Sequence, residues 1–158
     1  MDAPTAAQRT RSTRVIGIAA WTTNAAEADP STATIPKLWN RFTHEDWFAR
    51  LDGIGALGPT IAVYCDYETD VSGRYRILLG REIDGEPGAG TDLGSVQIPS
   101  GRYLVFRVTG PMPQAVIDGW RRVWAFFAEP EQAQRAYTVD LEVYHADGTG
   151  IELWIAVR

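Results

Sequence analysis

The order of elements constrains this chain more than any single motif in it. Thr13–Thr23 (TRVIGIAAWTT) is apolar and partly β-branched, is bounded by Asn24 and an Ala/Asp/Pro/Ser stretch, and reads as a strand. In TIPKLWNRFTHEDWFARL, residues 34–51, Ile35, Leu38, Trp39 and Phe42 recur at helical spacing and Pro36 falls in the first turn. Thr43-x-x-Asp46 has the form of a capping box opening a second short helix that carries Trp47, Phe48 and Leu51. Two strand-like runs, 59–70 and 75–84, meet across Ser72-Gly73 and complete β-α-β-β. The second half repeats that order. After a Gly/Pro-rich loop (85–93) comes a strand-like run over 94–110, then a helix behind Pro111 and Pro113 with Val116, Trp120, Val123, Trp124 and Phe127 on one stripe. Strands over 136–146 and 150–158 follow, joined across Asp147-Gly148. The expected fold is therefore α+β, two tandem βαββ units with antiparallel strands. Neither half, 13–84 or 94–158, is long enough to bury a good core alone, so the two should share a seam, and seams of this kind hold ligands.

Composition removes several classes of function. Of 158 residues 45% are hydrophobic and 22% charged, which excludes wholesale disorder, although residues 1–12 lack any apolar period and read as a disordered leader. Fifteen Lys and Arg against twenty Asp and Glu leave a net charge of −5, which repels phosphates and argues against direct nucleic-acid binding. No apolar run approaches the ~18 residues of a membrane span, and the N-terminus lacks the apolar centre of a signal peptide. One cysteine, Cys65, suits a reducing, cytoplasmic setting. It lies mid-strand among apolar residues, the habit of a buried thiol rather than a nucleophile.

The motif search is mostly negative. Gly53-Ile54-Gly55-Ala56-Leu57-Gly58 matches G-x-G-x-x-G, but a helix precedes it and a strand follows, the reverse of the order a pyrophosphate site needs. His44 and His145 stand about a hundred residues apart with no cysteine partner, so no metal set and no cofactor is expected. No G-x-S-x-G is present, and no heptad marks an oligomer interface.

The last hairpin says more. Val139, Leu141 and Val143 share one face of its first strand, and Ile151, Leu153, Ile155 and Val157 one face of its second. If both sets face the core, a three-residue turn at Asp147-Gly148-Thr149 sets Leu141 opposite Ile155 and Val143 opposite Leu153. The other face then carries Asp140, Glu142 and Tyr144 with Glu152 and Trp154, and Glu142 lands beside Trp154. Such a face reads either as a solvated strand surface or as the floor of a site for a flat cation, with rings for apolar area and a carboxylate for charge. Trp39, Phe42, Trp120 and Trp124 are equally divided between core and cleft.

These residues resemble a known family. IPKLWNRF, YCDYETDVSGRYRILLGREID, VQIPSGRYLVFRVTG and VDLEVYHADGTGIELWIAVR together make 13–158 similar to the GyrI-like effector-binding domain, also called the bacterial transcription activator effector-binding domain. The resemblance implies two βαββ units about a pseudo-twofold with a ligand groove between them. It also implies a small hydrophobic or cationic partner, with Glu142 at the groove floor and Tyr64, Trp39, Phe42 and Trp120 at aromatic positions. Tyr144 and Trp154 complete the expected walls. Similar domains accompany a DNA-binding module that the short polar leader here cannot hold. Two alternatives come with the family. One is hydrolysis of cyclopropane-bearing cytotoxins, with Glu142 as base and Tyr64 or Tyr67 orienting the water; the other is gyrase-inhibitor-like binding to a protein.

Overall fold

Backbone pairing joins the strands of both halves into a single antiparallel sheet. The computed structural model describes residues 3–85, 93–130, 132–145 and 150–158. The strands are β1 (Thr5–Arg9), β2 (Thr13–Thr23), β3 (Leu57–Cys65), β4 (Arg74–Ile83), β5 (Gly94–Ile98), β6 (Gly101–Val108), β7 (Val139–Tyr144) and β8 (Ile151–Ala156). The helices are α1 (Asn24–Glu27), α2 (Ile35–His44), α3 (Trp47–Asp52) and α4 (Gln114–Ala128). Across the sheet the order is β1-β6-β8-β7-β3-β4-β2-β5. It reads as one unit, β2-β4-β3, meeting its counterpart, β6-β8-β7, at a central β3·β7 pair. The strand preceding each unit crosses to the other, β1 onto β6 and β5 onto β2. The tandem α+β arrangement is thus present, with its two halves sharing one sheet.

Four local expectations are corrected. Thr5–Arg9 lies within the segment expected as a disordered leader, yet it pairs residue for residue with β6 from Thr5↔Val105 to Arg9↔Gly101. Its polar pattern suits an edge strand, where one side stays open to water. The run 94–110 is two strands, because Pro99 lacks the N–H a continuous ladder needs and Gly101 turns the chain at φ 144°. The capping box does not form: Thr43 donates its hydroxyl to the Trp39 carbonyl, and Asp46, at φ 56°, separates α2 from α3. Trp124 is 43% exposed, so the buried line of α4 is Ala115, Gly119 and Val123. The turn expected at Asp147-Gly148-Thr149 and most of the 85–93 loop lie outside the described residues.

Both faces of the sheet are buried. On one, Leu38, Phe42 and Leu51 from α2 and α3 cover Ile16, Ile18, Ile77 and Leu79. On the same face, α4 sets Val123 against Phe106, Leu153 and Ile155. The other face closes on itself, gathering Val15 and Leu78 from one half with Tyr103 and Leu141 from the other. Long-range bonds seat the helices. Glu27 accepts from the amides of Thr34 (2.8 Å) and Ile35 (3.0 Å), occupying donors that the first turn of α2 would otherwise leave orphaned. Buried Arg81 donates to the carbonyls of Phe48 and Gly58 and pairs with Asp52, tying down α3.

Gly119 sets how closely α4 approaches the sheet. A Cβ there would sit 2.6 Å from Val108 Cγ1 and 3.0 Å from Leu153 Cδ1. In an open helix Gly→Ala gains about 1 kcal/mol. Here overpacking reverses the sign, and Gly119→Ala should lose about 1–3 kcal/mol in a denaturant titration. A stabilised variant would show that α4 is not pressed onto β6 and β8.

Candidate ligand-binding site

Glu142 lies on β7 between Ala62 of β3 and Leu153 of β8, at the middle of the sheet, and is 2% exposed. Ala62 is the smallest of its neighbours and leaves the carboxylate room. Three donors meet it. Tyr64 Oη (2.7 Å) and Trp120 Nε1 (2.6 Å) donate to Oε2, and Tyr144 Oη (2.5 Å) donates to Oε1. None of the three is a cation.

The rings continue outward from these donors. Trp39 of α2 meets Tyr144 edge-on at 4.9 Å and Phe42 at 6.0 Å. Tyr64 meets Trp120 edge-on at 5.1 Å and Tyr75 at 5.8 Å, and Trp120 leans on Trp124 at 6.5 Å. Trp120 and Tyr144 pack against the cores of both halves, which places them at the seam. Of the seven expected site residues, the structure brings six together around one carboxylate: Glu142, Tyr144, Tyr64, Trp120, Trp39 and, behind Trp39, Phe42.

Electrostatics follow from burial. Desolvation pushes the Glu142 carboxyl above its usual range, and the bonds from Tyr144, Trp120 and Tyr64 push back. Burial, followed by the nearby carboxylate, drives the phenols of Tyr64 and Tyr144 upward, so both remain protonated donors.

Trp154 is the exception, and the hairpin register is the reason. The pairs are Leu141↔Trp154, Glu142↔Leu153 and Tyr144↔Ile151, one residue away from the expected pairing. Six residues separate Tyr144 from Ile151, an even number where the expected turn was odd. Trp154 therefore lies on the opposite face, against Tyr103 at 6.0 Å and under the Arg9 guanidinium at 5.8 Å, and donates to Glu152. Ile151, Leu153 and Ile155 take the Glu142 side instead. Because both faces are buried, apolar alternation fits either register.

A second carboxylate, placed on this face by strand alternation but given no role there, is also buried. Asp140, fully buried and two residues before Glu142, accepts from Arg135 Nη2 (2.7 Å), Tyr67 Oη (2.6 Å) and the Ala156 amide (2.9 Å). Side-chain alternation sets it on the same face as Glu142. Tyr67, weighed with Tyr64 as the group orienting a water beside Glu142, donates to Asp140 instead. Arg135 arrives from the irregular segment after α4, where no periodicity announces it.

The family model for integron-associated effector binding proteins, Cass2, matches residues 9–157, almost the whole chain. The chain belongs to the Cass2 family. As a Cass2 protein it is a small-molecule effector-binding domain of the GyrI-like kind. It is 33% identical to an integron cassette protein from the mobile metagenome of Vibrio cholerae, whose crystal structure superposes with a TM-score of 0.81 over 98% of this chain and 95% of that one. YobU of Bacillus subtilis (strain 168), named for transcriptional regulation, is 26% identical over 92% of both chains. The structure of SAV2435 bound to tetraphenylphosphonium, 22% identical, shares the fold at a TM-score of 0.78, covering 100% of this chain and 94% of that one. None of the described helices of this Cass2 chain is long and apolar enough to cross a membrane.

Cys65 takes no part in the site. It is 1% exposed, and burial pushes its thiol up to about 12. Ellman's reagent at pH 8 should find no reactive thiol in the native protein and one after denaturation. Rapid native labelling would contradict the burial.

Proposed function

We propose that this Cass2 protein binds lipophilic aromatic monocations at its seam, with Glu142 as counter-ion and Tyr64, Trp120, Tyr144, Trp39 and Phe42 as walls. The observation that carries this reading is a buried carboxylate surrounded by rings and held, among the described residues, by neutral donors alone. A buried charge without a partner of opposite sign costs several kcal/mol, and a bound cation recovers much of that cost while the rings add cation–π attraction and apolar area. Trp120 and Tyr144 are half-buried and Tyr64 is buried, so a ligand reaching Glu142 competes first with the two more exposed donors. Exposed Trp124 beside Trp120 offers an approaching ligand its first apolar contact. With both carboxylate oxygens engaged by donors, the site is arranged as a counter-ion rather than as a base. The tetraphenylphosphonium bound to SAV2435, a protein of the same fold, supports this reading.

Two ions of one shape test the charge requirement. Tetraphenylphosphonium should quench tryptophan fluorescence saturably, and tetraphenylborate should not. Equal binding of both would sink the counter-ion reading and leave a merely apolar groove.

The same reading sets a pH dependence. The folded carboxyl is raised above 4.5, so the unliganded protein holds its full share of stability from this group below pH 4.5 and loses it as pH rises through the folded value. Cation affinity runs the opposite way, since the ionised form binds. Tetraphenylphosphonium affinity should rise from pH 4.5 upward and level off once Glu142 is ionised. A pH-independent affinity across that range would remove Glu142 as the counter-ion.

A further inference from the structure

Arg135 is held in a setting like the one proposed for the ligand. Its guanidinium lies 4.4 Å from the Tyr137 ring centroid, 5.9 Å from Trp120 and 6.0 Å from Tyr67, with Asp140 at 2.7 Å. The side chain is about nine-tenths buried or more, and its Nε has no acceptor among the described residues, so the group is held by ring faces and one carboxylate. Trp120 serves both places: its Nε1 donates to Glu142 while its ring forms part of the box around Arg135. Asp140 and Glu142 are two residues apart on one strand face, about 6.8 Å along β7. A cavity of 280 Å³ lined by Arg135, Tyr137 and Phe127 adjoins the same box.

We infer that Arg135 is a tethered cation filling a second cation subsite beside Glu142, so that it restricts the groove to ligands of single charge. This rests on the reading of Glu142 as counter-ion. The seam holds two buried carboxylates, which together would match a dication with charges at both ends of a flat frame. Arg135 neutralises the inner one, and a second ligand charge then meets a guanidinium instead of a carboxylate. Loss of the guanidinium leaves Asp140 with the Tyr67 and Ala156 donors and an aromatic box open to a second positive centre.

N-Methyl-4-phenylpyridinium and methyl viologen are nearly the same flat molecule with one and two charges, and calorimetric titration of both against full-length variants tests the inference. The wild type should prefer the monocation. In Arg135→Gln methyl viologen should gain about tenfold or more, the scale of a close charge pair. In Asp140→Asn the unpaired guanidinium faces Glu142, and the monocation should lose about tenfold. No gain for methyl viologen in the first variant, or wild-type monocation affinity in the second, overturns the inference. Should Arg135→Gln fail to fold, Arg135→Gln/Asp140→Asn carries the test. It should recover the monocation affinity lost in Asp140→Asn, and failure to do so counts equally against the inference. A wild type that binds neither ion defeats the counter-ion reading itself, an outcome distinct from all of these.

Discussion

Glu142→Gln should weaken tetraphenylphosphonium binding by roughly 10–100-fold, about 1–3 kcal/mol, while leaving the protein folded and, wherever the native carboxyl is ionised, more stable. The two effects have one cause. Gln keeps the shape: its carbonyl oxygen can accept from Tyr64 and Trp120, and its amide can donate to the Tyr144 hydroxyl oxygen, so the rings have no reason to rearrange. What disappears is a charge whose burial opposes folding when no cation is bound. Stability gained together with affinity lost separates this account from a general loss of structure, in which both would fall. A variant that binds the cation unchanged, or one that is destabilised, would show that Glu142 is a structural acceptor and not a counter-ion. Titration calorimetry and a melting curve on the same sample measure both.

Asp140→Ala should cost about 3–5 kcal/mol, the largest stability effect expected from one site in the polar interior. Removing the carboxylate strands the buried Arg135 guanidinium, the Tyr67 hydroxyl and the Ala156 amide together. Each is then a desolvated donor without an acceptor, and the guanidinium carries charge as well. Arg135→Met/Asp140→Leu removes both charges and should recover the part of the loss due to the stranded guanidinium, while the Tyr67 hydroxyl and the Ala156 amide stay without an acceptor. Equilibrium urea unfolding of the single and double variants forms the test. If Asp140→Ala loses less than about 1 kcal/mol, water reaches the pair and the site is wetter than its burial indicates.

Much of the candidate site was legible because it depends on local order. Glu142, Tyr144, Tyr64, Trp120, Trp39 and Phe42 are placed by strand alternation, by helical spacing and by a resemblance running the length of 13–158, and all survive small errors at element ends. What failed needed non-local knowledge. Trp154 changed sides because one residue in the length of an undetermined hairpin loop reverses a strand's two faces. The VDLEVY pattern normally marks one wet face, and the pattern itself does not say that a helical layer covers the polar side as well. Thr5–Arg9 reads as loose polar chain because its partner, β6, lies about a hundred residues further on. Arg135 comes from an irregular segment, where neither period applies.

The sequence by itself determined the duplicated βαββ plan and the resemblance to the family, and with that resemblance one carboxylate among rings between the halves. The plan follows from periodicity, which acts over a few residues at a time, while the family and the place of Glu142 between the halves are what the resemblance implied. Only the tertiary structure decided that both faces of the sheet are buried, that β1 and β5 cross between units, and that Asp140 has its cation from Arg135 while Glu142, among the described residues, has neutral donors alone. Those outcomes depend on which distant segments exclude water from which side chains, and the energy of a buried charge is set by that exclusion rather than by its neighbours along the chain.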